Sequence, residues 1–300
     1  MTIDNIDKRK RDLELALSFK NKPTNNYRGA LVIFRDYTAI SIIIAINLYF
    51  KDNLLLHLIS IWLIGAFQFA ISECLLHEAS HYALFGSRKL NEYSEIFTAL
   101  PFFTTHKFFK EEHLIHHNFL MQEKDHLLEA YKYFGFVNKE DDKTNDKINL
   151  FWHLIFRPIL GISGIYHFFA NADFKNFKVI IFWIVITALA FRYNFIIELI
   201  FYWLIPFVWC CGSFLYWSEF LDHYKVENKY GRTRTCKISN IIFHNNGYHL
   251  THHKYPFISS NNLKTAYEAL DKEGDTESCK NIFDFFVKEY NGRKNLSPIS

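Results

Sequence analysis

Four stretches of the chain are apolar for long enough to suggest membrane-crossing helices, for which about 20 residues are needed. The first runs from Ala30 to Phe50, with Arg35 and Asp36 near its start, and only Tyr37 to Phe50 is uninterrupted. The second, Leu54 to Leu76, suffices alone. The third, Val179 to Phe191, is short and draws on Phe174 to Phe177, whereas the fourth, Phe195 to Trp217, is long enough and carries Pro206. Lys51-Asp52-Asn53 links the first pair and Arg192-Tyr193-Asn194 the second. Links this short predict two helical hairpins that each leave and return on one side, with the Arg35–Asp36 pair reaching for the lipid–water interface.

The pattern predicts an all-α integral membrane protein of about four transmembrane helices with a helical cap. The parts are a basic tail (1–29), a first hairpin (30–76), a cap segment (77–176), a second hairpin (177–217) and a second cap segment (218–300). Within the first cap segment, Phe151 to Ala170 is apolar but broken by His153, Arg157, Pro158 and Gly161, and reads as a helix lying in the interface or packed on the core. An amphipathic helix is expected near Asn261 to Leu270. The tail carries Lys8, Arg9, Lys10, Arg11, Lys20, Lys22 and Arg28, against one basic residue at each hairpin tip. The positive-inside rule then puts both termini and both cap segments in the cytosol.

Composition adds little to this picture but excludes several classes. Half of the 300 residues are hydrophobic, with 32 Phe and 17 Tyr, yet 22% are charged, which suits a lipid-embedded part with a substantial aqueous cap. A net charge of +3 indicates no nucleic-acid partner. The first thirty residues lack the apolar core of a secretory signal. Cys74, Cys210, Cys211, Cys236 and Cys279 form no CxxC pair, which points to a reducing environment.

Histidine is where the chemistry lies. Eight of the fifteen histidines fall into three short groups: His77 and His81 in HEASH, His113, His116 and His117 in HLIHH, and His249, His252 and His253 in HLTHH. Positions i and i+4 share a helix face, so each group can aim imidazoles at one region. The hairpins would deliver all three groups to the same membrane face. One zinc takes four ligands, so eight histidines fit two metals sharing a cavity. Iron is favoured where oxygen chemistry needs redox change. His57, His106, His126, His153, His167 and His244 stand apart and read as ordinary interfacial or core polar residues. HEASH alone matches the HExxH zinc-protease pattern, with Glu78 as general base, but that reading leaves both HxxHH groups without a role. A membrane metal transporter would hold its ligands near the bilayer midplane, not at helix ends.

The three boxes at these separations resemble the membrane fatty acid desaturase/hydroxylase superfamily. The likeness extends to Asn91, Leu100-Pro101 and Phe109-Lys110 between the first two boxes, and to Asn245 through Pro256 around the third; in these details it is nearest to the sphingolipid Δ4-desaturase-like branch. It implies a pair of Fe ions with O2 as co-substrate, and introduction of a double bond into a fatty acyl or related alkyl chain. Hydroxylation or ketolation of a lipid or natural-product intermediate is the alternative. It also implies a ninth ligand at His223, although Asp222-His223 replaces the family's Glu-His, and a role for Asn245 in holding a metal-bound water or orienting His249, unless it merely caps a helix. Glu78, Glu112 and Asp222 are candidates to orient the imidazoles. The implied partners are an acyl-lipid or carrier-bound acyl substrate and a separate ferredoxin or cytochrome b5-type electron donor, since no such segment is fused to the chain.

Overall fold

The computed structural model describes residues 3–20, 26–138, 143–145, 148–226, 230–270 and 278–296, and these are helical, with two isolated β-bridges and no strand among them. The first helix is α1 (Ile3–Lys20), followed by α2 (Asn26–Tyr49) and α3 (Leu54–Ser80). Next come α4 (Arg88–Tyr93), α5 (His106–Phe119) and α6 (His126–Phe134). They are followed by α7 (Ile162–Asn171), α8 (Phe177–Arg192) and α9 (Ile196–His223). The chain ends with α10 (Lys237–Ile242), α11 (His249–Lys254), α12 (Ser260–Ala269) and α13 (Ile282–Leu296).

Three helices, α2, α3 and α9, are long and apolar enough to cross a membrane. The 24 residues of α2 extend about 36 Å at 1.5 Å per residue, more than a hydrocarbon core of about 30 Å. The expected fourth crossing is shorter than the other three. Asn176 caps α8, its side chain accepting from the Lys178 amide at 3.1 Å, so the helix cannot take in Phe174 and spans 16 residues, about 24 Å. Both α2 and α8 display large apolar side chains outward, among them Leu31, Phe34, Ile42, Ile181 and Ile184.

The two longest helices are α3 and α9, and they cross closely. A Cβ on Gly65 would lie 2.4 Å from Cys210 Cβ, and Gln68 Nε2 donates to the Trp203 carbonyl at 3.0 Å. Each contains π-helical turns, Ala70–Leu75 in α3 and Ile200–Leu204 and Pro206–Cys211 in α9. An inserted residue of this kind shifts the helical phase and is frequent near functional sites. Here the turn in α3 ends two residues before His77. The apolar stretch read over Phe151 to Ala170 is packed on the core. It breaks at Gly161, whose φ of +73° ends one helical segment, and resumes as α7. A Cβ on Gly164 would sit 2.0 Å from the Val208 carbonyl oxygen, so α7 rides directly on the α9 backbone.

One expectation changes, and the basic tail is found packed on the fold. Arg35 and Asp36 do not reach for an interface. Asp36 is fully buried, accepting from Arg35 at 2.7 Å and lying 2.8 Å from His244 Nε2, while Arg35 also donates to the Ile241 and Ile242 carbonyls. A buried carboxylate requires such pairing, and the pair fastens α2 to the loop before the third box. The basic tail is likewise not free of the fold over its described part. Ala16 and Phe19 of α1 are buried against Tyr248, Ile258, Leu263 and Ala266, beside that box. The helix expected near Asn261 to Leu270 is α12, and its Leu263 and Ala266 face this cluster.

The α7–α9 contact predicts that Gly164→Ala lowers thermal stability in detergent by about 1–3 kcal/mol, the usual cost of overpacking. The open position Gly135, φ +80° with nothing within 4 Å of its Cβ, should lose only about 1 kcal/mol on the same change. Equal melting shifts for the two would remove the close crossing as an explanation.

Candidate metal centre

All three boxes sit at helix ends. His77 lies in the last turn of α3 and His81 just beyond it. His113, His116 and His117 occupy the second half of α5, which starts cleanly because Thr105 Oγ1 accepts from the Phe108 amide. His223 closes α9, and His249, His252 and His253 are half of the six residues of α11.

The fold gathers these nine histidines into two groups. His77, His81, His113, His117 and His252 form one; His116, His223, His249 and His253 form the other, and within each the ligand-capable atoms lie within 4.8 Å of one another. The split follows helical phase. Residues i and i+4 stay together, as His77 with His81, His113 with His117 and His249 with His253. Adjacent residues point about 100° apart, so His116 and His117 serve different groups, as do His252 and His253. The sequence reading kept His113, His116 and His117 on one shared face; the structure divides that face between two centres. The groups adjoin, with the His117 and His253 rings stacked at 4.2 Å.

In the five-histidine group, Nε2–Nε2 separations are 2.8 Å for His77–His252 and for His113–His117, 2.9 Å for His81–His113 and 3.0 Å for His117–His252. They cannot all be hydrogen bonds. A ring nitrogen offers one in-plane proton or one lone pair, not both, yet His113, His117 and His252 would each need to serve two neighbours. Nitrogens about 2.0–2.1 Å from one metal and at right angles to each other stand about 2.9 Å apart. The donor set therefore fits a single cation. In the second group His223 and His249 approach at 2.9 Å, and His253 Nε2 is buried without a hydrogen-bond partner in the described structure. A cation suits that arrangement as well.

The electrostatics favour the neutral, ligand-competent imidazole. Burial lowers the His81 pKa to about 4, with Lys110 adding to the effect, and lowers that of His117 to about 2, with His81 and His116 adding. His113, His249, His252 and His253 lie well below the ordinary range, chiefly through burial and then through the neighbouring imidazoles.

The three carboxylates read as candidates to orient the imidazoles differ in their surroundings. Glu78 touches no imidazole: it accepts from Arg28 (3.1 Å), Ser259 Oγ (2.7 Å) and both the amide and hydroxyl of Ser260 (3.1 and 2.6 Å). It ties α2 and the start of α12 to the first box, and with its oxygens so engaged it is not placed to serve as the general base of a zinc protease. Asp222 is gripped by Arg234, at 2.6 and 2.8 Å, and by Ser218 at 3.0 Å, with His249 Nδ1 3.9 Å away. Glu112 pairs with His126 at 3.4 Å. Asn245 has φ +61° and donates to the Ser260 carbonyl at 2.9 Å, while Tyr248 occupies the cap position of α11. It is the neighbouring Asn246 that lines a cavity together with His249.

One contributor had gone unnoticed. His116 Nδ1 lies 3.2 Å from Asp125 Oδ1. Burial raises the Asp125 pKa, but the bond to His116 and the Met121 and Leu127 amides outweigh it and leave the carboxyl below its usual value. An ionised carboxylate only accepts, so Nδ1 carries the proton and Nε2 is the nitrogen that would face a metal. An aspartate eight residues past the second box, just before the helical run His126–Phe134, was the available signal. Of the histidines read as bystanders, His244 is bound to Asp36, and His126 and His167 line the cavity beside the two groups.

The fold and site are those of a helical membrane protein with a histidine-rich centre at its helix ends. A family model for fatty acid desaturases matches residues 53–282, which include every box, and the chain belongs to that family. No curated protein matches the chain.

Asp125→Asn should weaken metal retention by about 10- to 100-fold, the usual consequence of losing a group that orients a ligating imidazole. Metal analysis against a competing chelator measures this, and unchanged retention would separate Asp125 from the centre. The lowered imidazole pKa values set a pH dependence for metal-free protein. Between pH 6.5 and about 4 the unfolded chain binds protons that folded His81 does not, so stability rises with pH there. This contribution is complete above 6.5 and is lost as pH falls toward 4; the melting temperature followed across that range checks the sign.

Proposed function

We propose that the chain is an O2-dependent di-iron oxidoreductase that introduces a double bond into a fatty acyl or related alkyl chain, with hydroxylation by the same centre as the alternative outcome. The observation that carries this reading is the convergence of nine imidazoles into two adjoining groups. His77, His81, His113, His117 and His252 would hold one iron and His116, His223, His249 and His253 the other. Bound there, the irons would supply the redox chemistry that couples O2 reduction to cleavage of an unactivated C–H bond.

The chain's own residues hold, orient and shield. Asp125 fixes His116, and the Arg234-anchored Asp222 stands beside His249. His77, His113, His116, His223 and His249 line a cavity of about 150 Å³. Phe69, Phe102, Phe168 and Phe207 line it too, and their rings would keep water from the reacting carbon. Desaturation consumes one O2, two electrons and two protons, removes two hydrogens from the substrate and yields two waters. Hydroxylation consumes the same reagents, inserts one oxygen and yields one water. The electrons come from a separate donor of the ferredoxin or cytochrome b5 type. We place α2 with α3, and α8 with α9, as two membrane hairpins, with both termini and the histidine centre on the cytosolic side.

Protein purified from iron-replete cells should carry about two irons per chain. Expression in a host of known lipid composition, followed by mass spectrometry, should reveal a product lacking two hydrogens or carrying one added oxygen. His116→Ala and His252→Ala should each abolish that product while the protein stays in the membrane fraction. One zinc per chain without iron, or full activity in both variants, would sink the proposal.

A further inference from the structure

The cavity beside the histidine groups is not lined as a channel for plain hydrocarbon. Glu73 of α3 and Glu219 of α9 both face it, each one helical turn before a histidine of the centre. Neither belongs to a histidine group, whose ligand-capable atoms lie within 4.8 Å of one another. The Glu219 carboxylate comes no closer than 3.6 Å to His167 Nε2. That nitrogen is buried, with the side chain 4% exposed, and has no hydrogen-bond partner among the described residues. Thr104 Oγ1, on the same cavity, is also buried and unpartnered there. Leaving such groups unsatisfied is costly, and a carboxylate facing an apolar wall calls for a cation or a donor.

His126 is the internal counter-charge. Burial disfavours its protonation, but its bond to Glu112 and the charges of Glu219 and Asp125 outweigh that and raise its pKa. His126 is taken up by Glu112, at 3.4 Å, and leaves the carboxyl groups of Glu73 and Glu219 facing the cavity. A ligand with several N–H donors would satisfy both, next to aromatic rings suited to a cation. The space is small: a hydrocarbon cavity of about 150 Å³ accommodates a guest the size of benzene.

We infer that this cavity receives an amine: the substrate carries an alkylammonium group within a few carbons of the oxidised position, bound by Glu73 and Glu219 with Thr104 and His167 completing the contacts. This rests on the di-iron reading of the histidine groups and narrows it. The oxidised carbon lies near a polar head, not in the middle of a long hydrocarbon chain.

The test uses the full-length, metal-loaded protein in lipid nanodiscs, kept anaerobic so that nothing turns over. The probes are hexylamine, hexanol and hexanoate, with binding read by ligand-detected NMR and iron content measured on the same samples. Hexylamine should bind at least about tenfold more tightly than hexanol, as hydrogen bonds to charged groups allow, and hexanoate should bind least. Glu73→Gln and Glu219→Gln should each lose about tenfold for the amine, leave hexanol unchanged and retain the iron. Thr104→Val, a conservative change in shape, gives a second variant should either glutamine substitution fail to fold, and should weaken the amine alone. Equal or tighter binding of hexanol or hexanoate overturns the assignment. So does iron loss in the glutamine variants, which would make the carboxylates part of the metal centre. Protein with two irons that ignores the amine refutes this inference and leaves the di-iron reading standing. Iron-free protein that still selects the amine refutes the di-iron reading and supports the pocket.

Discussion

The rest of the structure depends on gathering nine imidazoles so that the five-histidine group holds more close nitrogen pairs than hydrogen bonding among them can satisfy. Three ring nitrogens of the five-histidine group each approach two others at 2.8–3.0 Å. A shared cation would relieve such crowding. Protonation would place like charges in contact, and burial already disfavours it at His81 and His117. The surrounding bonds can be understood as what keeps those rings in place. Arg28 and two serines fix Glu78 beside the first box, Asp125 fixes His116, and Arg234 fixes Asp222 beside His249. The Glu78 anchor joins segments 50 to 182 residues apart in the chain, so the centre and the helical packing depend on each other.

Helical phase does the sorting. Pairs spaced i, i+4 stay in one group, while the adjacent pairs 116–117 and 252–253 are divided between the two, which places α5 and α11 between the centres. The same geometry explains why Glu73 and Glu219, each four residues before a box or box-like histidine, face the space next to the centres. A helix that presents a ligand also presents whatever precedes it by one turn. The carboxylates thus come to lie beside the histidine groups, on the cavity where Thr104 Oγ1 and His167 Nε2 are buried without a hydrogen-bond partner among the described residues.

Much of this was legible in the chain. Spacing alone identified eight histidines of the centre, because a ligand face on a helix leaves a local trace at i, i+3 and i+4, and family likeness added His223. The long apolar runs marked α2, α3 and α9 for the same local reason. Partners from distant segments left no such trace. Glu78 and Asn245 lie beside box residues in sequence, yet their side chains turn to Ser259 and Ser260, whereas Asp125 lies outside the boxes and holds a box histidine. Asp36, read as an interfacial charge, is matched by His244 from 208 residues away.

The sequence by itself therefore determined the class of fold, the helical runs and the nitrogen donors, since hydrophobic length and ligand spacing are properties of one helix at a time. Only the tertiary structure decided how those donors divide into two centres, which carboxylate orients which ring, and what faces the adjoining cavity. Those outcomes depend on the packing of α3 against α9 and α7 against α9, on the docking of α1, and on loops whose backbone pairs with remote side chains. The distances and angles between such elements arise only once the whole chain has folded.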